Sequence, residues 1–233
     1  TALNTGLTNR VVDTLAFSGD GLFLYAGTKG DGVFRLQTAA LPPVSNAGRI
    51  TNLAIRSTAG PGAQTLIVGV TVGGIGTSGA KPLLVRAVGP ALGLFGVPGV
   101  LLDPKLELYT DAGAKLLEND NWAGDGQVTA TTGQVGAFSL GAEASKDAAL
   151  ASAAILPGGY SAQISGVGGA TGVALAEIYD ATPAASFTSD TPRLINVSAR
   201  TQVGTGGNIL IAGFTISGGG PSTSSFTKFQ PPA

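Results

Sequence analysis

The sequence predicts an all-β fold: an antiparallel, jelly-roll-like β-sandwich with an N-terminal three-stranded meander and a C-terminal repeated hairpin. Three observations support this prediction. Short apolar runs recur about every ten residues, a spacing typical of antiparallel sandwiches. Turn residues separate the runs, and the 233 residues include 37 glycines. No long stretch has the apolar period of an amphipathic helix.

The first predicted unit, residues 1–40, is a meander of three strands. Asp-Gly and Lys-Gly turns separate its apolar runs, and such turns are strong hairpin signals. The predicted strands are Val12–Phe17, Leu22–Ala26 and Val33–Leu36. The segment "LYAGTKGDGVFRL" resembles one blade of a β-propeller. Since a propeller needs several blades, this segment is expected either to pack on something else or to be the remnant of a longer precursor.

The second predicted unit, residues 49–182, forms the sandwich. It follows a linker that Pro42 and Pro43 stiffen. The stretch Ala142–Ala154 fits either a short alanine-rich helix or part of a strand, and the sequence leaves both interpretations open. The predicted strands are Ile50–Arg56, Thr65–Val72, Pro82–Val88, Lys105–Thr110, Lys115–Glu118, Ala137–Leu140, Ala149–Ile155, Gly159–Ser165 and Val173–Asp180.

The third predicted unit, residues 193–220, repeats residues 49–76 with an offset of 144 residues and no gap. Eleven of the 28 aligned positions are identical, and most other pairs exchange one apolar residue for another. We interpret Arg193–Thr201 and Asn208–Ile216 as a hairpin with an apolar face. Such a hairpin is not stable alone in water, so it needs a partner surface. Residues 221–233 are a Ser/Thr/Pro tail.

Composition excludes several classes of function. Only 12% of residues are charged and the net charge is −1, so we expect no nucleic-acid partner. No apolar run reaches the 18 residues of a membrane span. The chain has no His or Cys, which removes the usual proton shuttle and thiol nucleophile, and we expect no enzymatic activity. The absence of an initiator Met favours a processed, extracellular or cell-surface protein.

The loop "ENDNWAGDG" is the candidate calcium site. Oxygen-bearing side chains at this density in a glycine-containing loop suit Ca²⁺, although the spacing is not that of an EF-hand. The alternative is an Asx-rich turn whose side chains cap their own backbone. The proposed ligands are Glu118, Asn119, Asp120, Asn121 and Asp125. We expect no other cofactor.

Four aromatic residues form a candidate face for polysaccharide binding. Aromatic rings stack on sugars, and the set comprises Trp122, Tyr109, Tyr160 and Tyr179. The alternative is that Trp122 is a lid on the sandwich core, since a tryptophan beside a loop usually packs inward. The sequence does not decide between these two roles.

The segments "LLVRAVGPALGLFGVPGVLLDPKLELYTDAGAKLLENDNW" and "AAILPGGYSAQISGVGGATGVALAEIYD" resemble a repeated β-sandwich domain of secreted proteins from Verrucomicrobia and related bacteria. Residues 106–179 are also similar to bacterial pre-peptidase C-terminal domains, which share the pattern "LxLYxxxGxxLxxNDNW … LPGxYxxxIxG". The resemblance covers roughly residues 49–220. It implies a secreted accessory domain without catalytic residues, and in some relatives calcium bound at the Asn-Asp loop.

The repeated hairpin has two ways to be buried. It packs in cis, as a pseudo-symmetric mate of residues 49–72, or it docks in trans on a neighbouring subunit by β-strand addition. Head-to-tail docking that does not close a ring produces a filament. We therefore predict a self-assembling structural subunit, a homopolymer, with a monomeric calcium- or polysaccharide-binding module as the alternative. The predicted interface consists of Leu210, Ile211, Phe214, Ile216, Arg193 and Arg200.

Overall fold

The computed structural model describes residues 11–17, 23–29, 32–37, 48–205 and 209–218. The predicted tail, residues 221–233, lies outside this part of the chain. Two compact units are present, Thr1–Ser45 and Asn46–Ala233. The first unit is the predicted three-stranded antiparallel meander, in the order β1-β2-β3. Its strands are β1 (Val12–Phe17), β2 (Phe23–Thr28) and β3 (Gly32–Gln37).

The described part of the second unit contains ten strands in one antiparallel sheet, which confirms the all-β prediction. The sheet order is β8-β7-β10-β5-β12-β4-β11-β6-β9, and β13 also pairs with β4. The sheet curves into a near-barrel rather than a clear sandwich. The strands are β4 (Arg49–Ala59), β5 (Leu66–Gly73), β6 (Lys81–Val88), β7 (Pro104–Thr110), β8 (Lys115–Asn119), β9 (Ala148–Ile155), β10 (Gly158–Gly166), β11 (Gly172–Asp180), β12 (Arg193–Arg200) and β13 (Ile211–Ser217).

The hydrophobic core lies inside the curved sheet. Alternate residues of β4 and β5 point into it, because successive side chains of a strand face opposite sides. Leu53, Ile55, Val68 and Val70 are among its fully buried members. A second, outer cluster covers the opposite face of β6 and β11 and includes Trp122. The described chain has no helix long and apolar enough to cross a bilayer.

A short helix, α1 (Gly126–Val135), lies in the outer cluster, where the sequence predicted no helix. The Asp125 side chain caps its N-terminus by accepting a hydrogen bond from the Val128 backbone N at 2.8 Å. Gly136 ends it in the left-handed conformation at φ 68°. The predicted strand Ala137–Leu140 is wrong, since those residues form irregular chain after α1. The alternative helix over Ala142–Ala154 is also wrong, because Ala148–Ile155 pairs with β6.

Candidate assembly interface

The two copies of the repeat cross over and pair with each other. The first strand of the second copy, β12, pairs with β5 through seven residue pairs. The second strand, β13, pairs with β4 through another seven. Within the described residues, β12 and β13 do not pair with one another, so the predicted hairpin is corrected to two strands that add to two different partners. The segment packs in cis, the first of the two arrangements that the sequence left open.

The pairing registers follow an internal two-fold symmetry. Arg56 pairs with Ile211, and the pair displaced by the repeat offset, Arg200 with Ile67, also forms. The same holds at the other end of the ladders, where Ile50 pairs with Ile216 and Val72 with Leu194. One further pair joins equivalent positions of the two copies, Ile50 with Leu194. That pair therefore marks the pseudo-two-fold axis.

Both copies contain a β-bulge at the same place. The β13–β4 register shifts between Thr215 and Ile216, and the β12–β5 register shifts between Leu194 and Asn196. The extra residues are Thr51 in the first copy and Ile195 in the second. A bulge inserts one residue and changes the alternation of side chains along the strand. It therefore brings Arg49 and Arg56 to one face although seven positions separate them.

The two copies differ in how many neighbours they have. In the first copy, β4 has β11 along one edge and β13 along the other, and β5 lies between β10 and β12. In the second copy, β13 pairs only with β4 within the described residues. Among the same residues, β12 pairs only with β5, apart from its one-residue contact with β4. The outer edges of β12 and β13 are thus unpaired among the described residues, and we call these two strands the open end.

Apolar side chains are exposed at this open end. Phe214 is 66% exposed, Ile216 61% and Ile211 43%, and Leu210 is half-buried against the inner core. Of the two predicted interface arginines, Arg193 is half-buried and Arg200 is exposed. Monomeric proteins rarely leave contiguous large apolar side chains in solvent. Five of the six predicted interface residues thus lie on the two strands of the open end, and Leu210 directly precedes β13.

The equivalent arginines Arg49 and Arg193 converge on one aromatic ring. The Arg49 guanidinium lies 4.0 Å from the centroid of Phe187, and that of Arg193 lies 5.9 Å from it. Phe187 lies in the segment that joins β11 to β12, and the sequence analysis assigned it no role. Its signal is that an isolated aromatic residue interrupts a Pro/Ser/Thr-rich stretch.

Arg49 also contacts a buried ion pair. Its Nε lies 3.6 Å from Asp180 Oδ2, and Lys81 Nζ lies 2.8 Å from Asp180 Oδ1. Burial lowers the pKa of Lys81 despite the carboxylate beside it, and the charges of Arg49 and Arg193 act in the same direction. Two cations, Arg49 and Lys81, therefore contact one carboxylate, and Arg193 lies near them as a third positive charge. Arg193 has no carboxylate partner among the described residues, and its buried Nε has no hydrogen-bond acceptor.

The proposed calcium ligands take part in other contacts. Glu118 accepts a hydrogen bond from Lys115 Nζ at 2.6 Å, and that hydrogen bond and charge hold the pKa of its carboxyl low. Asn119 Oδ1 accepts from the Ala149 backbone N, and Asp125 caps α1. No group of three or more acidic side chains that could hold a metal occurs in the described residues. Calcium binding at Asp120, Asn121 and their neighbours stays a prediction.

The predicted aromatic face is divided between two locations. Trp122 and Tyr179 are buried in the outer core cluster, so Trp122 has the role of a core lid. Tyr109 and Tyr160 instead line a groove of about 560 Å³ across β7, β10, β5 and β12. Polar side chains of β5, β10 and β12 also line this groove, among them Thr71, Gln163 and Asn196.

No known protein family, no curated protein and no solved structure matches this chain.

Proposed function

We propose that this chain is an extracellular structural subunit that assembles head to tail into a filament or surface array. In this proposal β12 and β13 of one copy pair with β4 and β5 of the next copy. The observation that carries it is the crossed pairing, in which two consecutive strands at the end of the described chain add to two different edges of the remaining sheet. The same contacts formed between copies would link each chain to its neighbour.

The connection between acceptor and donor strands is long enough for such an exchange. Residues 181–192 alone join β11 to β12 and contain one short 3₁₀ turn at Ala184–Ser186. A segment of this length spans up to about 40 Å when extended. Exchange keeps every contact of the closed chain, so its free-energy cost is the entropy of association. High protein concentration would then favour the assembly.

Apolar burial and low charge support association. Leu194 is fully buried where β12 contacts the inner core, and burial of such a side chain contributes about 1.5–3 kcal/mol. Phe214, Ile216 and Ile211 offer further apolar surface to a neighbour. A net charge of −1 gives little repulsion between copies.

The test measures assembly of the full chain with and without its donor strands. We expect polymers by electron microscopy and light scattering, and none after deletion of Pro192–Ala233. A peptide of residues 193–218 added to the full chain should stop polymer growth. It fills the acceptor edges of β4 and β5 but has no acceptor edge for the next copy. Phe214→Asp should weaken assembly strongly, whereas Thr205→Asp at an exposed position should not. A full chain that stays monomeric at high concentration would overturn the proposal.

Polysaccharide binding is a second candidate, favoured by the groove beside Tyr109. That groove combines the rings of Tyr109 and Tyr160 with polar side chains, of which Thr71, Gln163 and Asn196 make no side-chain hydrogen bond among the described residues. Such unpaired donors and acceptors beside a ring suit a sugar chain. If this candidate is correct, titration with soluble glycans should shift the NMR resonances of the Tyr109 ring. Tyr109→Ala should abolish that binding without changing assembly.

A further inference from the structure

We infer that the β4 and β5 edges form a two-fold interface for a second copy of this chain, and that β12 and β13 cover this interface in each chain as an internal mimic of the second copy. The inference concerns the same edges as the proposed assembly but does not require a filament. It predicts a closed dimer whenever the mimic is removed.

The internal symmetry specifies the register of this dimer. Replacing each residue of β12 and β13 by its repeat equivalent pairs Arg56 with Ile67 of the second copy and Leu53 with Val70 of the second copy. The axis pair Ile50–Leu194 becomes Ile50 against Ile50 of the second copy. Because the pseudo-symmetric pairs already form within one chain, the backbone geometry of the true dimer is already realised there.

The side chains that a second copy would bring are largely those already present. Six positions on β12 and β13, and Leu210 directly before β13, are identical to their equivalents in the first copy, and most others exchange one apolar residue for another. The second copy would therefore meet each edge with the same charges, glycines and apolar side chains. The seven identical pairs are Arg49/Arg193, Asn52/Asn196, Arg56/Arg200, Leu66/Leu210, Ile67/Ile211, Gly69/Gly213 and Thr71/Thr215.

The second copy would also remove the open end. In the mimic, Phe214 and Ile216 are exposed, and β13 has no outer neighbour among the described residues. Their equivalents, Val70 and Val72, are buried because β10 lies beside β5. A second copy would bring its own β10 and β11 to these positions. Each strand at the interface would then have neighbours on both edges.

The charges near the axis also favour a second copy over the mimic. Within one chain, Arg49 and Lys81 contact the single carboxylate of Asp180, and Arg193 adds a third positive charge beside Arg49 at the Phe187 ring. In the dimer, Arg193 is replaced by Arg49 of the second copy, which brings its own Asp180. The axis then carries two carboxylates for four cations rather than one for three, so the repulsion per cation falls.

The chain has no cysteine, which allows a single-site cross-linking test. Ile50→Cys places one thiol on the predicted axis, where directly paired strand residues lie within disulfide range. A protease site inserted in the exposed segment Thr188–Asp190 lets the full chain fold first and releases β12 and β13 afterwards. We expect a disulfide-linked dimer after cleavage under mild oxidation, and at least tenfold less of it before cleavage.

Leu116→Cys on the exposed strand β8 is the matched control and should cross-link equally before and after cleavage. If the cut strands stay bound, Leu194→Asp in the full chain weakens their docking instead, and the same Ile50→Cys cross-link is expected. Cleaved chains that have lost both strands, remain folded and stay monomeric would overturn the inference. Polymerisation of the uncut chain tests the filament proposal separately.

Discussion

Val70 and Phe214 occupy the same place in the two copies of the repeat, yet Val70 is 3% exposed and Phe214 is 66% exposed. The same contrast separates Leu53 at 1% from Val197 at 38%. The two copies share their strand pattern, their bulge and their register. They differ in their neighbours, because the first copy has β10 and β11 beside it and the second has neither in the described chain.

This contrast teaches that an apolar pattern specifies a face to be covered but not the element that covers it. Burial belongs to the pair of contacting surfaces, and it is lost wherever one surface is missing. A repeat copy without its outer strands therefore keeps the pattern of a core element while its side chains meet solvent. Substitutions at equivalent positions measure this difference directly.

The largest effect is expected from a charge at the equivalent positions 70 and 214. Val70→Asp places a carboxylate in the inner core and should cost more than about 4 kcal/mol of unfolding free energy, enough to unfold many domains. Phe214→Asp at the open end should cost about 1 kcal/mol or less. Urea unfolding followed by circular dichroism measures both. Equal losses of unfolding free energy in the two variants would show that Phe214 is buried in the isolated chain.

An intermediate effect is expected at the two equivalent arginines. Arg49→Ala removes the contact with Asp180, the hydrogen bond to the Thr182 carbonyl at 3.1 Å and the stacking on Phe187, and should cost about 2–3 kcal/mol. Arg193→Ala should cost about 0.5–1 kcal/mol, because Arg193 lies farther from the ring and has no carboxylate in the described chain.

The arginine comparison is sharpened by repeating both substitutions in a Phe187→Leu background. The Arg49 effect should shrink there, since part of it comes from the ring, while exposed Arg200→Ala should have no effect in either background. A larger loss at Arg193 than at Arg49 would contradict the proposed difference between the copies.

The smallest effect is expected at the equivalent glycines 69 and 213. A Cβ on Gly213 meets nothing within 4 Å, so Gly213→Ala should stabilise the strand by up to about 0.5 kcal/mol. A Cβ on Gly69 would lie 2.4 Å from Ser198 Oγ, so that hydroxyl must rotate. We therefore expect Gly69→Ala to give no stabilisation. Thermal melting of both variants, with Ser198→Ala added to Gly69→Ala, tests this. Ser198→Ala should restore the stabilisation by Gly69→Ala.

Local pattern predicted most strands of the fold. The runs of Pro82–Val88 and Val173–Asp180 lie within β6 and β11. The sequence missed α1, because a Thr- and Gly-rich segment has neither an amphipathic period nor strong helix formers. Its available signals were the capping side chain of Asp125 and the glycine at position 136.

The candidate interface could be predicted only in part. Internal identity revealed the repeat and indicated that residues 193–220 need a partner surface. It did not reveal that the strands cross, because the choice between a hairpin and two separate ladders depends on edges far away in the chain. Phe187 was missed for the same reason, since its partners Arg49 and Arg193 lie on two different strands.

The long separation between β4 and β13 has a consequence for synthesis of the chain. Their partners lie 155–168 residues apart, so β4 leaves the ribosome well before its second neighbour exists. Closing so long a loop is slow, and folds rich in distant contacts fold slowly. During this interval the unpaired edges of β4 and β5 are open to another nascent chain. The translation rate and the spacing of ribosomes on one messenger RNA would then set two fractions. One is the fraction of chains whose β4 and β5 pair with their own β12 and β13, and the other is the fraction that pair with another chain.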